Sequence, residues 1–314
     1  MKPAILSFLC MFAFVCAFAA VPKWVSTGNY ADYPKDTFIA VTGSGASREE
    51  AEASAKKAVT DEIFEFVKKA GVKIYKTDDI GGFILKYYST ALSYNDKGGS
   101  GFYVLGTVNK NLIRMDIEKE ILSVEGNTIH NLRVLEESVS KTIKKIKEID
   151  GVLSQYRRED IMILIKQYLK GEPPVLEPLS LERERLESQR KELFKKVSYV
   201  FKGDGFKDAR IKKFFSDNGL LMLPSAPDEN QGKDIITVNC KKSVSKADSE
   251  AGFKYVWTAG VIFEDAYNPD TVIYSDTLSG EESSEIENAA KDSADLSADA
   301  WLNGVIRGFL ETVL

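Results

Sequence analysis

The apolar positions of the chain change period along its length, and those changes mark its elements. Residues 37–41 (Thr-Phe-Ile-Ala-Val) form a short apolar run bounded by turn signals, which predicts a buried strand. Gly43-Ser44-Gly45 reads as the break that ends it. Ser47, with Glu50 three residues on, makes a capping box and starts a helix. Ala51, Ala55, Ala58, Val59, Ile63, Phe66 and Ala70 then recur at helical spacing until Gly71, and the early alanines let that helix approach a sheet closely. Strands are expected around 83–94 and at 102–108, joined by Asp96-Lys97-Gly98-Gly99-Ser100 as a hairpin loop.

After Asn111 the period becomes helical. Leu132, Leu135, Val139, Ile143, Ile146 and Ile149 form a stripe with Lys and Glu between them. At under three clean heptads the stripe is weak support for a coiled coil. An antiparallel helix through Ile161, Leu164, Ile165 and Leu169 is the simpler partner. Gly171-Glu172-Pro173-Pro174 stops the helices, and Pro178 prolongs the break, because proline removes a helix donor and clashes with the preceding turn.

Beyond that break the pattern alternates again. Residues 181–196 read as a charged helix, 197–201 as a strand, and 209–215 as a helix ending near Gly219, with a turn at Gly203-Asp204-Gly205 between them. Residues 220–223, 235–240, 255–263 and 272–278 supply four further strands. Residues 285–313 form a last helix, with Trp301, Val305, Phe309 and Val313 on one face. The expected fold class is α+β, in two α+β domains. The first is a strand–helix–hairpin module followed by long helices; the second is an antiparallel sheet with a C-terminal helix. The expected division is 1–19 signal peptide, 20–170 first domain, 171–180 linker and 181–314 second domain.

The N-terminus carries its own pattern. Met1-Lys2 precedes an uncharged apolar run at 4–21 that ends in Ala17-Phe18-Ala19-Ala20. A basic start, an apolar stretch and small residues before the cut describe a secretory signal peptide, with cleavage expected after Ala19. The rival reading is an uncleaved anchor, since the run could just span a bilayer. Cys10 and Cys16 lie within this segment, so the mature chain keeps only Cys240 and has no internal disulfide. Cys240 lies in an apolar run with no local base, which reads as a buried structural thiol. Val15 precedes Cys16 where bacterial lipidation needs a small residue, so no lipid anchor is expected, although membrane contact stays open.

Composition narrows the chemistry. The 314 residues carry a formal net charge of −5, which argues against nucleic-acid binding, where phosphate neutralisation needs a Lys/Arg surplus. Charge is uneven: residues 264–299 hold eleven acids against one lysine, and residues 181–213 hold eleven bases against six acids. Asp276, Glu281, Glu282, Glu285 and Glu287 invite a hard-cation reading, but their spacing does not fit a calcium loop and a solvated acidic face is preferred. Gly43-Ser44-Gly45-Ala46-Ser47 invites a phosphate reading; without a following Lys-Ser/Thr or a third glycine, turn and cap geometry accounts for it better. His130 is the only imidazole and reads as an exposed residue in a polar turn or at a helix start. Tyr87, Tyr88, Tyr94, Phe102 and Tyr103 around the hairpin read as core and cross-strand pairs rather than a ligand platform. No catalytic, cofactor-binding or metal-ligating residue is assigned, and no cofactor is expected.

Pro22-Lys23-Trp24, the strand at 38–41, Gly43-x-Gly45-x-Ser47, the alanines at 51, 55 and 58 with Glu62-Ile63, and the run at 101–108 together resemble a bacterial envelope family. Residues 22–125 are similar to the twenty-kilodalton LPP lipoproteins and to the N-terminal domain of the flagellar protein FlgT. The resemblance implies an α+β domain, an envelope location and a structural or assembly role, without catalytic residues. The function expected is that of an exported, non-catalytic envelope protein, periplasmic or outer-membrane-associated, with other envelope proteins or further copies of itself as partners. The alternative is a periplasmic binding module for a small ligand or envelope polymer.

Overall fold

The computed structural model describes residues 21–27, 30–75, 78–96, 101–138, 141–203, 209–226, 234–249 and 252–314. The signal segment 1–19, most of the hairpin loop at 96–100 and most of the turn at 203–205 lie outside the described residues. Helix makes up 53% and strand 27%, in separate helical and sheet segments, so the class is α+β. The chain divides into two compact units, one of 1–120 with 161–175 and the other of 121–160 with 176–314.

The first unit opens with α1 (Lys23–Thr27), whose Trp24 is buried and whose Trp24 carbonyl accepts a 2.8 Å bond from Thr42 Oγ1. Strand β1 (Phe38–Gly45) runs straight through Gly43-Ser44-Gly45, so the expected break there is absent. A Cβ on Gly43 would overlap the Ala51 carbonyl oxygen and the Ala55 amide nitrogen. The glycines therefore serve close approach of helix α2 (Arg48–Lys69) to the strand. Ala51, Ala55, Val59, Ile63 and Val67 are the buried face of α2, and Gly71 (φ +81°) follows its end. Residues 83–85, expected to start a strand, fall in helix α3 (Ile80–Leu85) instead, because Ile80, Phe83 and Ile84 bury at helical rather than alternating spacing. Strands β2 (Tyr88–Asp96) and β3 (Gly101–Asn109) complete an antiparallel sheet ordered β1-β3-β2, with a bulge between Thr90 and Leu92.

Helix α4 (Lys110–Glu137) starts where the Asn109 side chain accepts from the Asn111 and Leu112 amides, and α5 (Thr142–Lys170) follows. Both helices contribute to both units. In the first unit Arg114 donates to the Leu169 carbonyl and Lys166 pairs with Glu118 at 3.2 Å, so the helices run antiparallel. The stripe from Leu132 to Ile149 is divided between them, with Val139 outside the described residues.

Sequence reading kept residues 121–160 with the first domain, whereas they group with the second unit. The reason is packing: Leu135, Ile149 and Val152 bury against Leu186 of α6 (Leu181–Lys196), and Ile143 and Ile146 join the main core with Phe194. After α6 come β4 (Ser198–Gly203), α7 (Ala209–Asp217) and β5 (Leu221–Leu223). The strands β6 (Ile235–Ala247), β7 (Phe253–Asp265) and β8 (Val272–Ser284) are each 13 residues long. They form an antiparallel meander, and β4 joins β6 and β5 in parallel, giving the order β5-β4-β6-β7-β8.

Helix α8 (Glu287–Val313) covers one face of this sheet through Ala290, Ala294, Ala298, Leu302, Ile306, Leu310 and Val313. The expected face of Trp301, Val305 and Phe309 is rotated by about one residue: these three lie at the flank, partly buried against the core. Small residues in the first half of α8 let it lie close to β7, whose Tyr255, Trp257, Ala259, Val261 and Phe263 alternate inward.

Candidate functional site

Each candidate from the sequence has a definite place. The N-terminus of α2 is filled by its own chain: Ser47 Oγ accepts from the Glu50 amide at 3.1 Å, and Glu50 Oε2 accepts from the Ala46 amide at 2.8 Å. A carboxylate already sits on these N–H groups, which opposes capture of a second anion. His130 is exposed, but it lies well inside α4 rather than in a turn or at a helix start, because the helix runs unbroken from Lys110 to Glu137. Cys240 is a buried thiol on the inner side of β6. Tyr94 and Tyr103 are directly opposite across β2 and β3 with ring centroids 6.2 Å apart, while Tyr88 and Phe102 pack on Ala51, Ala55 and Val104. Tyr87 donates to Asp116, and burial followed by that carboxylate pushes its hydroxyl up to about 12.

The acids near the last helix do not converge. Glu281 pairs with Lys254 at 2.6 Å, Glu282 accepts from Ser297 at 2.7 Å, and Asp276 accepts from the Thr277 amide at 2.8 Å. Lys246 and Tyr255 both bond Glu287 and hold its carboxyl below the usual range. Glu285 is exposed. Among the described residues no group of three or more His, Cys, Asp or Glu side chains could hold a metal ion.

Three features emerge that sequence reasoning missed. Lys242 on β6 lies 2.8 Å from Asp299 and 2.9 Å from Asp295, both on α8. Burial disfavours the Lys242 charge, yet the two carboxylates outweigh it and hold the ammonium above its usual range. The signal was available as acids at i and i+4 beside an alanine stripe.

The second feature is a cation-lined cavity of about 230 Å³ built by α5 and α6. On α5, Asp150, Leu153, Arg157 and Asp160 fall on one face; on α6, Arg183, Glu187, Arg190 and Lys191 do the same at i, i+4, i+7 and i+8. Apolar docking of Leu186 against Ile149 and Val152 sets these faces opposite each other. Arg183 pairs with Asp160 at 2.6 Å and Glu187 at 3.4 Å, and Arg190 with Asp150 at 2.5 Å. Tyr156 and Phe194 lie under the two guanidinium groups at 5.9 and 5.8 Å. Burial pushes the Asp150 carboxyl up to about 6 although Arg190 and Arg157 both oppose the shift. The basic excess at 181–213 is visible in composition, but it is the helical spacing of Arg183, Arg190 and Lys191 that builds the site.

The third is the sheet face opposite α8. Lys241, Ser243, Thr277 and Ser279 are exposed on it, and even the central strand leaves Thr258, Gly260 and Ile262 half-open. A groove of about 570 Å³ lies across these residues. Thr258 and Ser279 bond through their hydroxyls at 2.9 Å.

No protein-family model matches the chain, and no curated protein matches it. Two solved structures are similar to it. One is the secreted protein HP1454 from the human pathogen Helicobacter pylori, at 15% identity over 88% of this chain and 98% of that one, with a TM-score of 0.33. The other is a minor lipoprotein from Acinetobacter baumannii, at 12% identity over 38% of this chain and 87% of that one, with a TM-score of 0.23. Neither likeness assigns the chain to a family. Among the described residues, no helix is long and apolar enough to cross a membrane.

Proposed function

We propose that the chain is an exported bacterial envelope protein with a structural or assembly role, acting through protein contacts rather than catalysis. The observation that carries this reading is the uncovered face of β6, β7 and β8. Three 13-residue strands present short hydroxyl side chains, Lys241 and the half-open Ile262 to solvent, while α8 buries only the opposite side. A shallow groove across three long strands offers a partner extended area to dock on, which supports a contact surface. The basic start, apolar run and Ala-x-Ala end at 1–19 support export, to the periplasm or the outer membrane. The resemblance of residues 22–125 to the LPP lipoproteins points to the same compartment. Other envelope proteins, or further copies of this chain, are the partners proposed.

The test is cell fractionation with N-terminal sequencing, combined with photo-crosslinking from Ser243 and Thr277 in native envelopes. A mature chain starting at Ala20 and defined crosslinked neighbours are expected. Recovery as a lone soluble monomer without crosslinks would remove the reading.

A further inference from the structure

We propose that the cavity between α5 and α6 binds the phosphoryl group of a small polar molecule. Arg157, Arg183, Arg190 and Lys191 line it from two helices, so four cationic side chains converge on one space. The inference goes beyond the assembly reading and either can fail alone.

The arrangement differs from a plain interhelical ion-pair seam in how its donors are used. Arg190 meets Asp150 only as an ion pair, at 2.5 Å through a buried Nε that makes no hydrogen bond of good geometry among the described residues, so its fork keeps donor capacity for a further acceptor. Arg183 uses Nε and Nη1 on Glu187 and Asp160, leaving Nη2. Lys191 is exposed and has no carboxylate partner among the described residues. A guanidinium carries five donors in a planar fork, and tetrahedral oxyanions accept from several such forks at once. The carboxylates of Asp150, Asp160 and Glu187, the last of which lines the cavity itself, and the aromatic rings beneath hold the forks in place before any ligand arrives, which lowers the ordering cost of binding.

Size and lining limit the ligand. At about 230 Å³ the space lies below the roughly 300–1,000 Å³ of ordinary small-molecule sites. Leu153 is its one apolar wall, Thr312 of α8 adds a hydroxyl, and Glu187, paired with Arg183, is its one carboxylate among four cations. An acyl chain or an aromatic ring would find only Leu153 to pack on, so the ligand is a free phosphate or a small phosphomonoester.

Isothermal titration of the mature full-length chain tests this with sodium phosphate, glycerol 3-phosphate and sodium chloride at matched ionic strength. Saturable phosphate binding with no chloride response is expected. Arg157→Gln should weaken it about tenfold, the loss expected for a charge-assisted bond. Lys191→Gln should weaken it about threefold, as befits an exposed charge, with an unchanged melting temperature in the absence of ligand, which separates lost binding from lost folding. Tighter binding of glycerol 3-phosphate identifies a phosphomonoester site; equal or weaker binding identifies a phosphate site. An equal response to chloride, or phosphate affinity unchanged in both variants, overturns the proposal.

Discussion

Lys242 Nζ lies 2.8 Å from Asp299 Oδ1, and less than a tenth of either side chain is exposed. The pair joins the central meander to the helix that covers it, inside a core otherwise built of Ala, Leu, Ile and aromatic groups. Neither charge could be buried alone. Lys242→Met should therefore destabilise the protein by about 3–5 kcal/mol, because it leaves a carboxylate buried without its cation. Adding Asp299→Leu to Lys242→Met should recover much of the loss. Urea unfolding of the single and double variants measures both, and an equal deficit in the two would show that the loss lies in packing instead.

The Gly43 site sets a second expectation. A methyl group there would meet backbone atoms of Ala51 and Ala55, which cannot rotate away. Gly43→Ala should cost about 2–3 kcal/mol through overpacking. A variant that unfolds at the same urea concentration as the parent would mean that α2 can lift off β1 cheaply.

Three helix glycines should behave in the opposite way. Gly126 in α4, Gly151 in α5 and Gly304 in α8 have nothing within 4 Å of a built Cβ. Each substitution to Ala should stabilise by about 0.5–1 kcal/mol, since alanine loses less backbone freedom on folding. Melting temperatures of the single variants decide this, and a fall at any of the three contradicts it.

Asp150 gives the pH dependence. Its carboxyl sits near 6 in the folded protein against an ordinary 3.8, so between these values the folded state binds more protons than the unfolded chain. This group therefore makes stability fall as pH rises from about 4 to 6, and the loss is complete above that window. Asp150→Asn mimics the protonated form. Its stability should match the parent near pH 4 and exceed it by about 3 kcal/mol at pH 7. Urea unfolding at four pH values reads the difference, and a flat difference would falsify the assignment.

Much of the fold was legible because local physics set it. Ser47 and Glu50 cap α2 as their spacing predicts, and residues 181–196 form α6 over the full expected span. Two failures have different physical causes. Ile80, Phe83 and Ile84 sit beside a true strand, and a short apolar run does not reveal whether its neighbours bury at period two or three. Strand β8 continues six residues past its apolar part, because pairing with β7 from Phe253 to Glu264 holds residues whose side chains are polar.

By itself the sequence determined most of the order of helices and strands, the α+β class and the Ser47 cap. These depend on residues within a turn or two of each other, where propensity and periodicity act directly. Tertiary structure alone decided that residues 121–160 belong with the second unit, and that Lys242 meets Asp299 57 residues away. It also decided that Arg157 faces a cavity shared with Arg183 and Arg190. Each of these rests on apolar faces choosing partners distant in sequence. That choice follows from burial and shape complementarity, which no local window of the chain contains.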